Sequence, residues 1–215
     1  MVFEIVKYGD PVLQTKGKPV GEVSDAIRQL SADMIETMYA ANGIGLAAQQ
    51  IGLALQICVV DVAPVQQDRP SRMWIDGAEQ KLEEWMPLTL VNPQLDFGPA
   101  KDTASEGCLS FPDLHGDVLR PSRIKVRAQV ADGRHVEFEA DGMLARAIQH
   151  EVDHLNGVLF TSRMNSATKA SLSGRLKRLH REGAANPTKG KPRPAKPKPV
   201  KKAATLVDTA SSSQD

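Results

Sequence analysis

Cysteine is scarce in this sequence, with two among 215 residues, Cys58 and Cys108. One bridge at most could form, so a disulfide-framed secreted scaffold is excluded and a hydrophobic core must hold the fold. Aromatic residues supply 4% of the chain against a hydrophobic share of 41%, which makes that core aliphatic. No stretch approaches the ~20 consecutive apolar residues of a membrane-spanning helix. The opening MVFEIVKYGDP lacks the charged start, apolar run and small-residue site of a secretory signal. The expected location is therefore the cytoplasm.

Acidic residues almost vanish from one region. Residues 163–202 hold 13 Lys and Arg against 1 Asp or Glu, whereas residues 1–162 hold 14 against 23. A body of net charge −9 thus carries an extension of net charge +12. That asymmetry suggests an anionic partner for the extension, such as nucleic acid or a ribosomal surface, the alternative being a solvated tail that only aids solubility. Beyond Gly183, Lys, Pro and Ser dominate and apolar periodicity is lost, so 183–215 reads as a disordered tail that buries too little surface to offset ordering entropy.

Within the body, Ile27, Leu30, Met34, Ile35 and Met38 recur at helical spacing from Ser24 to Ala41, with a stop at Asn42-Gly43. LQICVVDV reads as a buried strand that makes Cys58 a small core residue. TLVNPQL, SRIKVRAQV and HVEFEAD are further strands, the last two joined by Asp132-Gly133, a strong hairpin signal. MLARAIQHEVDHL has helical periodicity, and a second, basic helical pattern covers 166–181 with Leu172, Leu176 and Leu179 apolar. Residues 64–88 are polar and hold Pro64, Pro70 and Pro87, consistent with a loop containing a short helical piece.

The chemistry concentrates in three segments. His150-Glu151-Val152-Asp153-His154 puts two imidazoles one helical turn apart on one face, with a carboxylate placed to act on water at a shared metal ion. Two ligands are too few, since a catalytic site usually has three and an open position. On chemistry alone Cys108 competes with Glu106, Asp153 and His115 for the third place. The segment GIGLAAQQ at 43–50 has glycines that permit close backbone approach and a Gln able to donate to a developing oxyanion. No Gly-Lys-Ser/Thr follows it, so it is not a phosphate loop.

Taken in order, GIGLAAQQ at 43–50, EGCLS at 106–110 and QHEVDHLNG at 149–157 resemble the peptide deformylase family, in its ordinary bacterial form. The opening DPVLQTKGKPV and LVNP at 90–93 are also similar, and the resemblance runs from about Val2 to about Met164. It implies an α+β fold with antiparallel strands around a central helix carrying H-E-x-x-H. It implies a catalytic domain over 1–165 followed by a basic C-terminal helix over 166–182; the tail over 183–215 is read from composition alone. The activity implied is hydrolysis of the N-formyl group from the formylmethionine of new polypeptides. Cys108, His150 and His154 would bind one divalent metal, ferrous iron in the cell with zinc or nickel possible, although ligand type alone favours zinc. Glu151 would be the general base and acid. Gln50 and the backbone N–H of Leu109 would form the oxyanion hole. Ile44, Gly45, Met143 and Ala147 would line the substrate cleft, and Glu106 would make a supporting polar contact. The basic stretch resembles the extension by which bacterial members approach the ribosome.

Three features depart from the family pattern. Residues 64–88 are longer than the usual link and are expected either to be a surface loop only or to shape the cleft, Arg146 is expected to extend outward from its helix, and the tail after Arg181 has no counterpart in the family's core. Two rival functions use the same residues. A metalloprotease would cleave internal peptide bonds, and an inactive ribosome-binding scaffold would be expected to lose Glu151, Gln50 or a ligand, all of which are present.

Overall fold

The computed structural model describes residues 1–188 and 190–195. The chain runs through α1 (Asp25–Ala40), β1 (Gly45–Ala47), β2 (Ile57–Val60), β3 (Met73–Ile75), β4 (Ala78–Gln80), β5 (Leu88–Phe97), β6 (Lys101–Cys108), β7 (Phe111–Pro121), β8 (Arg123–Gln129) and β9 (His135–Asp141). It ends in α2 (Gly142–Leu155), α3 (Ser166–Ser171) and α4 (Ser173–Ala184). Seven strands form one antiparallel sheet in the order β1-β2-β5-β8-β9-β3-β4, and β6 and β7 form a separate hairpin. The expected α+β architecture is what the chain adopts.

The apolar positions named by periodicity are the ones that pack. Met34 and Met38 of α1 are fully buried with Ile57 and Val59 of β2, while Cys58 and Val60, of opposite parity, join Leu144 and Ile148 of α2 on the sheet's other face. α1 stops where expected, because Asn42 takes a left-handed φ of 55°. The β8–β9 turn is built by Gly133 at φ 88° and by Asp132, whose Oδ1 accepts the Arg134 N–H at 2.9 Å. In LVNP the Asn92 amide exchanges two hydrogen bonds with the Val20 backbone, at 2.7 and 2.9 Å, at a bulge in β5.

α2 lies between the large sheet and the β6–β7 hairpin and is buried over most of its length. Its N-terminus has no side-chain cap of its own. Ser71, distant in sequence, supplies one: its Oγ accepts the Leu144 N–H at 2.9 Å, satisfying a donor that the helix leaves open.

Three expectations change. Residues 64–88 are not only loop: they contain the β3–β4 hairpin, turned at Asp76-Gly77 and docked on β9. Trp74 there lies under the guanidinium groups of Arg72 and Arg123, at 5.0 and 4.3 Å. The basic helical pattern breaks at Leu172 into α3 and α4, and Leu176 and Leu179 pack with Leu13 and Phe111. The tail expected to be disordered from 183 instead continues α4 to Ala184 and then returns to the body. The Thr188 N–H donates to Asp10 Oδ2 at 2.7 Å, the Glu4 N–H to Arg193 O at 2.7 Å, and the Ala195 N–H to Val2 O at 2.9 Å. These backbone bonds give residues to 195 partners that composition could not reveal. The rest of the expected tail, 189 and 196–215, lies outside the described residues.

Candidate metal centre and active-site cleft

The helical spacing does what the sequence implied: the His150 and His154 rings, one turn apart on α2, have centroids 5.1 Å apart. The β6–β7 hairpin brings the third group. A register shift between Gly107 and Cys108 turns the end of β6 and delivers Cys108 Sγ to 3.2 Å from His154 Nε2. One donor atom from each of Cys108, His150 and His154 falls within 4.8 Å of the others.

The other candidates for the third ligand are committed elsewhere. Asp153 faces away from the histidines and pairs with Arg120 at 2.8 Å and Arg163 at 2.6 Å. His115 is exposed and lies over Gly107. Glu106 is fully engaged: Oε2 meets His150 Nδ1 at 3.0 Å, and Arg120 Nε and Arg146 Nη1 each donate to Oε1 at 2.7 Å. Its contact with Nδ1 leaves His150 Nε2 for an ion, an arrangement that fixes ring orientation in metal sites.

Burial sets the electrostatics. Desolvation pushes Glu151 up to about 7, and the carboxylates of Glu106 and Asp153 push the same way against His150 and Arg120. Burial also drives His154 well below the usual histidine range. It works against a charged His150 too, but hydrogen bonding with Cys108 and Glu106 outweighs it and lifts that pKa to about 10. Glu106 is held below the usual carboxylate range, its burial overcome by the bonds from His150 and Arg120. Two buried polar atoms here have no partner, Glu151 Oε2 and His154 Nδ1. A sulfur, two imidazoles and an unpartnered buried carboxylate oxygen together fit a divalent cation with an adjacent water.

The segment 43–50 closes over this group. The backbone of Gly45 passes so near Glu151 that a Cβ would stand 2.3 Å from Oε1. Gln50 sits in the 3-10 turn after β1; its Oε1 accepts the Ala47 N–H at 2.8 Å, which aims Nε2 at Cys108 Sγ and Ser110 Oγ, at 3.5 and 3.4 Å. A cleft of about 720 Å³ opens above, and Ile44, Gly45, Gln50, Glu106, Cys108, Leu109, Met143, Ala147, His150 and Glu151 all line it. His154 is buried behind them.

Sequence reasoning missed Arg120 and misplaced Arg146. Arg120 joins Glu106 to Asp153 and is buried. It shares the inward parity of Leu114 and Val118 on β7, and a charge on an inward face demands a partner. Arg146 does not extend outward: at 5% exposure it pairs with Glu106 and Asp102, at 2.7 and 2.9 Å. Its helix face meets the β6–β7 hairpin, so its guanidinium finds carboxylates in place of water. Of the two expectations for the 64–88 segment, the structure favours the second, since Val65 and Arg69 line the cleft.

The polypeptide deformylase family model matches residues 2–170. The peptide deformylase of Opitutus terrae is 46% identical over 184 residues, covering 83% of this chain and 93% of its own. The crystal structure of peptide deformylase from Thermus thermophilus superposes with a TM-score of 0.70 at 35% identity, covering 85% of this chain and 99% of that one. That of the Ehrlichia chaffeensis peptide deformylase in complex with actinonin gives 0.71 at 34%, covering 82% and 96%.

Proposed function

The chain belongs to the polypeptide deformylase family, and from that premise and the cleft geometry we infer a metal-dependent hydrolase that removes the N-formyl group from the formylmethionine of nascent polypeptides. The observation that carries the reading is the convergence of Cys108, His150 and His154 beside a buried, unpartnered Glu151 carboxylate oxygen.

Cys108, His150 and His154 would hold the ion, whose contribution is to lower the pKa of a water molecule from 15.7 toward ~7. Glu151, with its pKa raised to about 7, accepts the proton of the attacking water and passes it to the departing amine. Water oxygen bonds to the formyl carbon, the C–N bond breaks, and formate and a free amino terminus leave. The Gln50 amide and the Leu109 backbone N–H donate to the oxyanion; loss of one such donor typically costs ~100- to 1000-fold in rate. Gly45 has no side chain, so the formyl group can approach Glu151 across its backbone. Ile44, Met143 and Ala147 offer an apolar wall to the methionine side chain.

Ferrous iron is the metal proposed for the cell, with zinc or nickel as substitutes that the same S and N donors accept. The cytoplasm is the proposed location, where Cys108, which is in no disulfide, stays reduced. The exposed Lys177, Arg178 and Arg181 of α4 support a contact of residues 163–202 with ribosomal RNA. The test is formate release from a formyl-methionyl peptide by protein purified anaerobically, with and without a chelator. Chelator-sensitive release is expected. No release from fully metallated protein would overturn the reading.

A further inference from the structure

We propose that Arg69 is a substrate-binding residue that selects for a carboxylate in the residues following formylmethionine, an inference that rests on the deformylase reading of the cleft. Arg69 comes from the 64–88 segment, outside the three motifs that mark the site. It lines the cleft with Val65, and the neighbouring Pro70 O accepts the Met143 N–H at 3.5 Å. The Arg69 turn is thereby tied to the end of the cleft where Met143 stands.

The turn is a fixed wall. The Ala63 N–H donates to Asp61 Oδ1 at 2.9 Å, and the Arg69 N–H donates to Val65 O at 2.8 Å. The Gln66 side chain brackets Ser71, with Nε2 donating to its carbonyl at 2.8 Å and Oε1 accepting its N–H at 3.0 Å. Ser71 in turn caps α2 through Leu144, and Val65 packs in the core cluster that includes Ile44 and Met143. Arg69 is therefore presented by elements that also form the wall for the first side chain.

Its charge is uncompensated. Among the described residues no carboxylate forms an ion pair with Arg69, whereas the other lining arginine, Arg146, is paired with Glu106 and Asp102. With the first side chain held by Met143 and Ala147, an extended peptide advances ~3.3–3.6 Å per residue. The second or third residue then passes within reach of the Arg69 side chain. A half-buried guanidinium fork matches a carboxylate in two parallel hydrogen bonds and repels an ammonium.

The experiment measures kcat/KM for formate release by metal-loaded enzyme from formyl-methionyl peptides carrying Glu, Ala or Lys at the second or the third residue. At one of the two positions Glu should exceed Lys on the order of ten-fold. That ratio should shrink when about 0.5 M salt screens the pair, vanish in Arg69→Ala and invert in Arg69→Glu. Because each ratio is taken within one preparation, a general loss of activity cancels. Should Arg69→Ala fail to fold, the salt dependence of the wild type and a reduced but retained preference in Arg69→Lys carry the test. Equal rates for Glu and Lys at both positions, or a preference unchanged by salt or by Arg69→Ala, would overturn the assignment while leaving the deformylase reading intact. No formate from any peptide would overturn both.

Discussion

Glu151 is the side chain whose charge the fold controls most directly. Its pKa rises from 4.5 to about 7 because burial disfavours the carboxylate. A folded-state pKa above the unfolded value means that Glu151's contribution to stability is fully present below about pH 4.5 and lost as pH rises through about 7. In chelated, metal-free protein at pH 8 the buried carboxylate should cost roughly 3 kcal/mol. Metal-free Glu151→Gln has no such charge. Thermal melts should show it more stable than metal-free wild type at pH 8, with the gap closing at pH 5; an equal gap at both would locate the effect outside ionisation. In the metallated enzyme Glu151→Ala should retain its ion by elemental analysis and lose turnover by ~100-fold or more. Retained turnover would remove Glu151 from the proton transfers. Gly45→Ala tests the same carboxylate from the other side, since its Cβ would press Glu151 Oε1 at 2.3 Å.

At the scale of elements, the site depends on how α2 and the β6–β7 hairpin are held together. Arg120 does this from β7, bonded to Glu106 on β6 and Asp153 on α2. Arg120→Met would take one buried cation from two carboxylates, leaving Glu106 to Arg146 and His150 and Asp153 to Arg163, so the loss of stability should stay below the ~3–5 kcal/mol typical of a fully broken buried pair. It would also loosen the Glu106 contact that orients His150, for which a loss of about 10- to 100-fold in metal affinity is typical. Competition against a graded chelator reads the affinity, and urea unfolding reads the stability. A stability loss without an affinity loss would reduce Arg120 to a structural role.

These same elements show what is legible in the sequence. α2 is readable because its apolar residues and the two histidines follow one helical period. β8 and β9 are readable because Asp132-Gly133 joins two alternating runs. β6, KDTASEGC, is largely exposed, and β7 breaks its inward parity with Gly116 and Arg120, so neither strand has a clean alternation to read. On residue chemistry the third metal ligand stays open among four candidates for that reason: only the hairpin's register separates Cys108 from its competitors. The β3–β4 hairpin carries a legible turn at Asp76-Gly77, but three-residue strands are too short for alternation to register. Arg146 escapes the sequence because helix spacing gives its face and not what packs there.

At the scale of the whole molecule, the C-terminal extension combines structure and charge in adjacent stretches. Thr188 and Arg193 tie the described part of the extension to the N-terminal segment, with Thr188 on Asp10 and Arg193 paired to Glu4 at 3.3 Å. Asp10 is buried, and its other oxygen caps the turn at Pro11–Gln14 by accepting the Val12 N–H at 2.9 Å. A chain ending at Ala184 would leave Asp10 with one partner fewer and return backbone groups of Val2 and Glu4 to water. A hydrogen bond to a charged group is worth ~1.5–3 kcal/mol, and at this chain size each kcal/mol moves the melting temperature by ~2–4 °C. Truncation at 184 should therefore lower the melting temperature by about 5 °C relative to truncation at 195, which keeps these bonds. The two truncations also separate stability from binding. If the basic stretch contacts ribosomal RNA, the chain ending at 195 loses four of the region's lysines, Lys196, Lys198, Lys201 and Lys202. Its ribosome co-sedimentation should then fall and depend less steeply on salt, while the bonds of residues 188–195 to the N-terminal segment are kept. Co-sedimentation unchanged at low salt by either truncation would exclude residues 185–215 as the anchor and leave α3 and α4 as the basic surface to test.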